Sequence, residues 1–250
     1  MLPALNIGPF VFPTAGLTII FGAYLALSLV ERAARRRRQP VELYYGLAST
    51  SLLVGIIGAR LAFVVLYWSA FQENLLSIIW PLNTGYNMWG GLFFAAAAAF
   101  FYGRFRQLSP ARTLDILAPG LLTGLMVVSL ADFLAGPGYG TLTTLPWGIN
   151  FFGVRRHPVQ LYEILLGIEA IVIWFQLSRR STPHDGYLFL VVTAVYASGR
   201  LFLDTFRATA WFTTGGWHGL QIITLLIALT CLGLLAWRSQ KPAPSLSSPN

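Results

Sequence analysis

Arg200, Asp204 and Arg207, in the segment GRLFLDTFR, stand at positions i, i+4 and i+7 of an otherwise apolar run. On a helix turning about 100° per residue, that spacing puts all three on one stripe. The carboxylate of Asp204 is expected to neutralise one arginine, leaving the forked donors of the other for a phosphate or a carboxylate. A closed structural ion network accounts for the same three residues and stays open as an alternative.

The segment RRHPVQLYE supplies a second constellation. Pro158 suits a first helical position, and His157 just before it stands where a capping residue would be. Gln160 and Glu163 fall three apart on one helical face, with Tyr162 beside them as a polar-tipped aromatic. Arg155 and Arg156 make the approach basic. A helix start at a membrane interface explains these types, yet a carboxylate inside a helix asks for a donor, and Arg200 and Arg207 are candidates. His157 has the side chain whose unperturbed pKa, about 6.5, suits a general base near neutrality. Two further sites of intramembrane charge are Arg60 in GIIGARLAF and the aspartates Asp115 and Asp132 at the two ends of one span.

The elements that must position these groups are membrane helices. The chain is 56% hydrophobic and 10% charged, with a mean hydropathy of +0.64, which excludes an ordinary soluble domain. With about 20 apolar residues per crossing, it parses into seven spans near 13–30, 41–68, 87–102, 113–136, 159–178, 187–206 and 219–237. Runs such as AAAAAFF and QIITLLIALTCLGLLAW lack the alternation of a transmembrane β-barrel, so the fold class is all-α and polytopic. Pro119 is expected to kink or shorten its span. One transmembrane helical domain is expected over 1–240, with a disordered polar tail over 241–250.

The net charge of +8 does not point to nucleic acid, because twelve of the seventeen basic residues fall in alternate connections of the seven-span parse. That asymmetry places the N-terminus outside and the C-terminus inside. The first span lacks a basic n-region and is followed by Arg35, Arg36, Arg37 and Arg38, so it is expected to remain as a helix. The single cysteine, Cys231, rules out an internal disulfide or a thiolate metal cluster.

HPVQLYE at the start of one span and RLFLDTFR on the next, preceded in order by GARLAFVVLYW and MWGGLFF, resemble the bacterial prolipoprotein diacylglyceryl transferase family from about Gly8 to Trp237. That family moves a diacylglyceryl group from phosphatidylglycerol to the lipobox cysteine of a preprolipoprotein, forming a thioether and releasing glycerol phosphate. The resemblance implies a multi-pass protein of the bacterial plasma membrane that needs no metal or organic cofactor. Arg200 and Arg207 match family arginines, Asp204 stands at a family glutamate, Asp115 at a family aspartate and Gly140 at an important glycine. By this resemblance the lipid-binding set is Arg200, Asp204, Arg207, Gln160, Tyr162, Gly140 and Arg60, and the catalytic candidates are Arg200, His157 and Glu163.

The departures from the pattern are as specific. The family signature G-R-x-G-N-F-x-N-G-E-x-x-G lines up with VSLADFLAGPGYG, so its arginine becomes Ser129, its asparagines Asp132 and Ala135, and its glutamate Pro137. A family histidine falls on Ala95 and a first-span tyrosine on Ala15. Two function classes follow. One is a relative that binds an anionic phospholipid, with transfer to a lipobox cysteine weak or lost, or that acts as a structural subunit of a membrane complex. The other is an active transferase with an altered site or substrate. A preprolipoprotein or another membrane protein is the expected partner of either, and a channel or transporter is a third reading of the embedded charges.

Overall fold

The computed structural model of the chain describes residues 4–7, 10–79, 85–136, 138–151 and 153–240. Pro137, the side chain of Ala15 and the tail 241–250, each the subject of an expectation above, lie outside the described residues. A short hairpin, β1 (Ala4–Ile7) with β2 (Phe10–Pro13), leads into helices α1 (Thr14–Arg36), α2 (Val41–Leu66), α3 (Leu76–Ile79), α4 (Met88–Phe105) and α5 (Pro110–Ala135). A second antiparallel hairpin, β3 (Ile149–Phe151) with β4 (Val154–Arg156), precedes α6 (Val159–Leu177), α7 (Tyr187–Leu203) and α8 (Gly219–Ser239).

The protein is all-α and polytopic, as its composition requires. Six helices are long and apolar enough to cross a membrane: Gly16–Arg36, Val41–Leu66, Pro110–Ala135, Val159–Leu177, Tyr187–Phe206 and Gly219–Ser239. The remaining expected span coincides with α4, an alanine-rich helix of 18 residues that lies outside that set. Leucine, isoleucine and phenylalanine side chains stand exposed along the helices, which is the surface that lipid tails cover.

The chain groups into two compact units, Val30–Thr113 and a second made of Met1–Leu29 with Leu114–Asn250. In the first, α2 and α4 approach through small residues. A Cβ on Gly55 would lie 2.9 Å from the Cβ of Ala95, and one on Gly91 would lie 2.9 Å from the Cβ of Ala59. Ala95, where the resemblance places a histidine, is thus a helix-packing contact here. Arg60 closes the same unit. Its Nε donates to the Ile78 carbonyl at 2.9 Å, its Nη1 to Gly85 at 3.1 Å and its Nη2 to Ser77. The guanidinium lies 5.2 Å from the centre of the Phe71 ring. A buried cation inside α2 is therefore solvated by the carbonyl dipoles of Ser77 and Ile78 in α3 and of Gly85, and its planar fork ties both to α2.

In the second unit two polar contacts fix how α5, α6 and α7 sit together. Pro119 lies inside α5 and has no N–H for the carbonyl of Asp115, four residues earlier. The indole Nε1 of Trp174, at the end of α6, donates to that oxygen at 2.8 Å. Trp174 and Asp115 are both fully buried, so the bond replaces a helical partner where no water reaches. The helix consequently continues through Pro119 to Ala135 instead of being shortened by it.

The carboxylate of Asp115 serves α7. It accepts the N–H of Gly186 at 2.7 Å and of Phe189 at 2.8 Å, two of the donors that a helix start leaves without partners. Gly186 has no side chain to cap its own helix and adopts φ +85°, a conformation glycine tolerates, so the cap comes from 71 residues earlier. A negative charge at that end also suits the helix dipole.

Candidate functional site

The end of α5, the start of α6 and the end of α7 meet around one carboxylate. Glu163, whose side chain is 4% exposed, accepts Arg200 Nη1 and Arg207 Nη2 on the same oxygen, Oε1, the latter at 2.5 Å. Its other oxygen, Oε2, accepts the hydroxyl of Ser129 at 2.6 Å. The expectation that a carboxylate inside the fifth expected span, 159–178, needs arginine donors from the next one is met. The partner assigned to those arginines needs correction, because Glu163 and not Asp204 pairs with them. The physical reason is local: α7 ends at Leu203, and Asp204–Phe206 form a turn of 3-10 helix, so the three residues no longer share a straight α-helical stripe. Asp204 is fully buried, neither of its oxygens has a hydrogen-bond partner, and its near neighbour is His218.

One negative charge shared between two guanidinium groups leaves these three residues with a net positive charge, with Asp132 within electrostatic range of Arg207. Arg207 also has a buried Nε without a hydrogen-bond partner. Such a centre can take an anionic group, and the arginines are 14% and 15% exposed at their side chains, so the ligand would bind largely out of water.

Main-chain pairing holds Arg207 in place. Gly140 bridges to Arg207, with Thr141 N donating to Phe206 O at 2.8 Å and Ala208 N to Tyr139 O at 3.1 Å. The far side of the same strand-like stretch takes His157, whose N donates to Thr141 O at 3.0 Å. Gly140 is thus pressed between two chain segments. A Cβ there would lie 2.3 Å from the carbonyl oxygen of His157, which is backbone and does not yield. This gives a physical ground for glycine at the position the resemblance marks as important. Arg156 adds to the frame by donating Nη1 to the Gly140 carbonyl at 3.2 Å, with its guanidinium 4.6 Å from the centre of the Tyr139 ring.

His157 is a second correction. Pro158, not His157, is the N-cap residue of α6, and no side chain caps that helix end. The buried His157 ring instead packs 4.9 Å from Phe206, with Nδ1 3.4 Å from the Tyr162 hydroxyl. That hydroxyl accepts the indole N–H of Trp147 at 2.9 Å. Since Trp147 only donates, the phenol hydrogen of Tyr162 is free to point at His157 Nδ1. Gln160 is fully buried on the face of α6 that carries Glu163. Arg60, grouped with these residues from sequence, belongs to the other compact unit, and three of its nitrogens donate to main-chain carbonyls there.

Three participants escaped the sequence reading. Ser129 is a polar residue three positions before Asp132 on an apolar helix, a spacing that shares one face, while the family pattern marks it only as a replaced arginine. Tyr196, one turn before Arg200 on α7, lies in electrostatic range of Arg200, Glu163 and Arg207. His218, at the N-cap of α8, becomes visible only once the turn at Asp204 brings the two together.

Comparison with known proteins agrees with this architecture. A model of the prolipoprotein diacylglyceryl transferase family matches residues 3–237. A Geobacter sulfurreducens protein named phosphatidylglycerol–prolipoprotein diacylglyceryl transferase is 33% identical over 217 residues, covering 81% of this chain and 80% of its own. Proteins of the same name from Lysinibacillus sphaericus and Streptococcus uberis are each 27% identical; the first match covers 97% of this chain and 94% of the relative, the second 96% of both. With its apolar helices and the match over nearly its whole length, this multi-pass membrane protein belongs to the prolipoprotein diacylglyceryl transferase family.

Proposed function

We propose that the chain binds an anionic phospholipid of the phosphatidylglycerol type at Arg200 and Arg207, and performs diacylglyceryl transfer to a lipobox cysteine weakly. The observation that carries the binding reading is the sharing of Glu163 between two buried guanidinium groups, which leaves a positive charge for a headgroup phosphate to neutralise. Arg200 holds the phosphate directly, Arg207 supplies the second guanidinium, and Gly140 with Arg156 keeps Arg207 in register. The names of the relatives supply the lipid class, since phosphatidylglycerol and prolipoprotein are what those proteins are named for. Weak transfer is expected because Ser129, Asp132 and Ala95 stand where the family resemblance places an arginine, an asparagine and a histidine. Asp132 in particular adds negative charge near Arg207, which disfavours an anionic leaving group. A preprolipoprotein is the proposed partner in the membrane, and the site opens on the outer side if the N-terminus is outside.

The test is lipid binding by the purified full-length chain in nanodiscs containing phosphatidylglycerol or phosphatidylethanolamine. Charge-assisted hydrogen bonds contribute roughly 1.5–3 kcal/mol each, so Arg200→Ala is expected to weaken phosphatidylglycerol binding about ten-fold or more. Unchanged binding returns the cluster to a structural role. The second reading, a transferase working with an altered set of groups, is favoured by the pairing of Asp204 with His218.

A further inference from the structure

Asp204 and His218 form a buried pair that the arginine cluster does not use. Asp204 sits in the 3-10 turn between Arg200 and Arg207 with a side chain 1% exposed, and its Oδ2 lies 3.4 Å from His218 Nδ1. Neither carboxylate oxygen nor Nδ1 has a hydrogen-bond partner, so the 3.4 Å approach is a close contact of opposed groups and not a formed hydrogen bond. A carboxylate taken out of water without donors is strongly unfavourable, and the imidazole is the donor placed for it. The imidazole is held from two other directions. Its ring packs 4.3 Å from that of Phe212, and main-chain bonds from Thr213 N to Trp217 O and from Gly219 N to Trp211 O, both 2.9 Å, fix the hairpin that carries it. Gln221, one turn into α8, donates to the Thr205 hydroxyl at 3.1 Å and ties the helix to the turn that holds Asp204.

An ionised carboxylate only accepts, so an imidazole that donates to Asp204 does so through a hydrogen on Nδ1, which leaves the lone pair on Nε2. The His218 side chain is 31% exposed. A carboxylate behind one ring nitrogen and a reachable lone pair on the other is the arrangement of a general base with its orienting group, and such contacts tighten when substrate is bound. His157, the base expected from sequence, has Tyr162 and Phe206 against its ring.

We propose that His218 is the proton acceptor for a thiol acceptor of the diacylglyceryl group, with Asp204 as its positioning residue. This rests on phosphatidylglycerol binding at Arg200 and Arg207. The thiol gives its proton to His218 Nε2. The thiolate sulfur attacks the glyceryl carbon that carries the phosphate, a carbon–sulfur bond forms, and the carbon–oxygen bond to the phosphate breaks. Glycerol phosphate leaves with the electron pair on its oxygen, held by Arg200, and the imidazolium returns its proton to the departing phosphate or to water. No oxidant or further reactant is required.

The experiment uses the full chain in nanodiscs with radiolabelled phosphatidylglycerol and a cysteine-containing lipobox peptide, reading lipid binding and thiol-dependent glycerol phosphate release separately. General-base catalysis contributes about 10²–10⁴-fold, so His218→Ala is expected to lower release by at least about 100-fold with lipid binding unchanged, and added imidazole is expected to restore part of it. Asp204→Asn is expected to lower kcat with KM unchanged, and Asp204→Glu to recover activity. His184→Ala, at the other end of the bundle's α7, is the control. Full release by His218→Ala overturns the proposal, as does a wild-type chain that binds the lipid and shows no thiol-dependent release. A wild-type chain that fails to bind phosphatidylglycerol instead removes the lipid reading, which the binding arm reports on its own.

Discussion

Trp174 donates its indole N–H to the Asp115 carbonyl that Pro119 leaves without a helical donor, at 2.8 Å. Tryptophan and proline lie 55 positions apart in sequence, and each makes sense only with the other. Trp174→Phe removes the indole donor from a buried carbonyl and is expected to destabilise the protein by about 1–3 kcal/mol. Pro119→Ala restores an N–H four residues after Asp115, so Trp174→Phe should cost less in that background. Thermal unfolding in detergent, run as a double-mutant cycle, checks the coupling; additive losses count against it.

Glu163→Gln removes the charge shared by two guanidinium groups while keeping size and an acceptor oxygen. Breaking a buried ion pair from one side typically costs about 3–5 kcal/mol, so a large fall in melting temperature is expected in neutral micelles. Phosphatidylglycerol should restore more stability to this variant than to the wild type, because its phosphate supplies the missing negative charge. Equal effects of phosphatidylglycerol and phosphatidylethanolamine would sink that account.

Arg60→Lys keeps the positive charge of α2 and loses the fork that reaches three carbonyls. A loss of about 1–3 kcal/mol is expected, with faster proteolysis at α3, whose carbonyls the fork holds. Phosphatidylglycerol affinity should be unaltered. A weakened affinity would return Arg60 to the lipid-binding residues suggested by sequence.

Reporter fusions should find the loop between α1 and α2, with its consecutive arginines, on the inner side and the Gly140–Arg156 region on the outer side. An outer location for the arginine loop would contradict the charge asymmetry on which the orientation rests.

Much of the bundle was legible because long apolar runs carry their own length signal, and the breaks at 36–39, 104–112 and 179–185 carry the charge. The demand of Glu163 for arginine donors was also readable, since a carboxylate within lipid needs one. Its two partners could not be ranked by periodicity, because the helix changes to a tighter turn at Asp204 and rotates that residue toward α8. Likewise nothing local in Asp115 announces a cap for a helix 71 residues away; the orphan donors at Gly186 and Phe189 have to be placed beside it first. Ser129 was hidden for a different reason: comparison with a family pattern directs attention to what a residue replaced, and away from what its hydroxyl now touches.

The Asp115 cap also has a mechanical meaning. It grips the first turn of α7, while Arg200 lies in the last turn of a helix 17 residues long, about 20 Å away at 1.5 Å per residue. Sliding α7 by a single turn would break both bonds from Gly186 and Phe189, with no water at hand to replace them. α7 therefore resists a piston stroke, and the cap sets the height at which Arg200 meets Glu163.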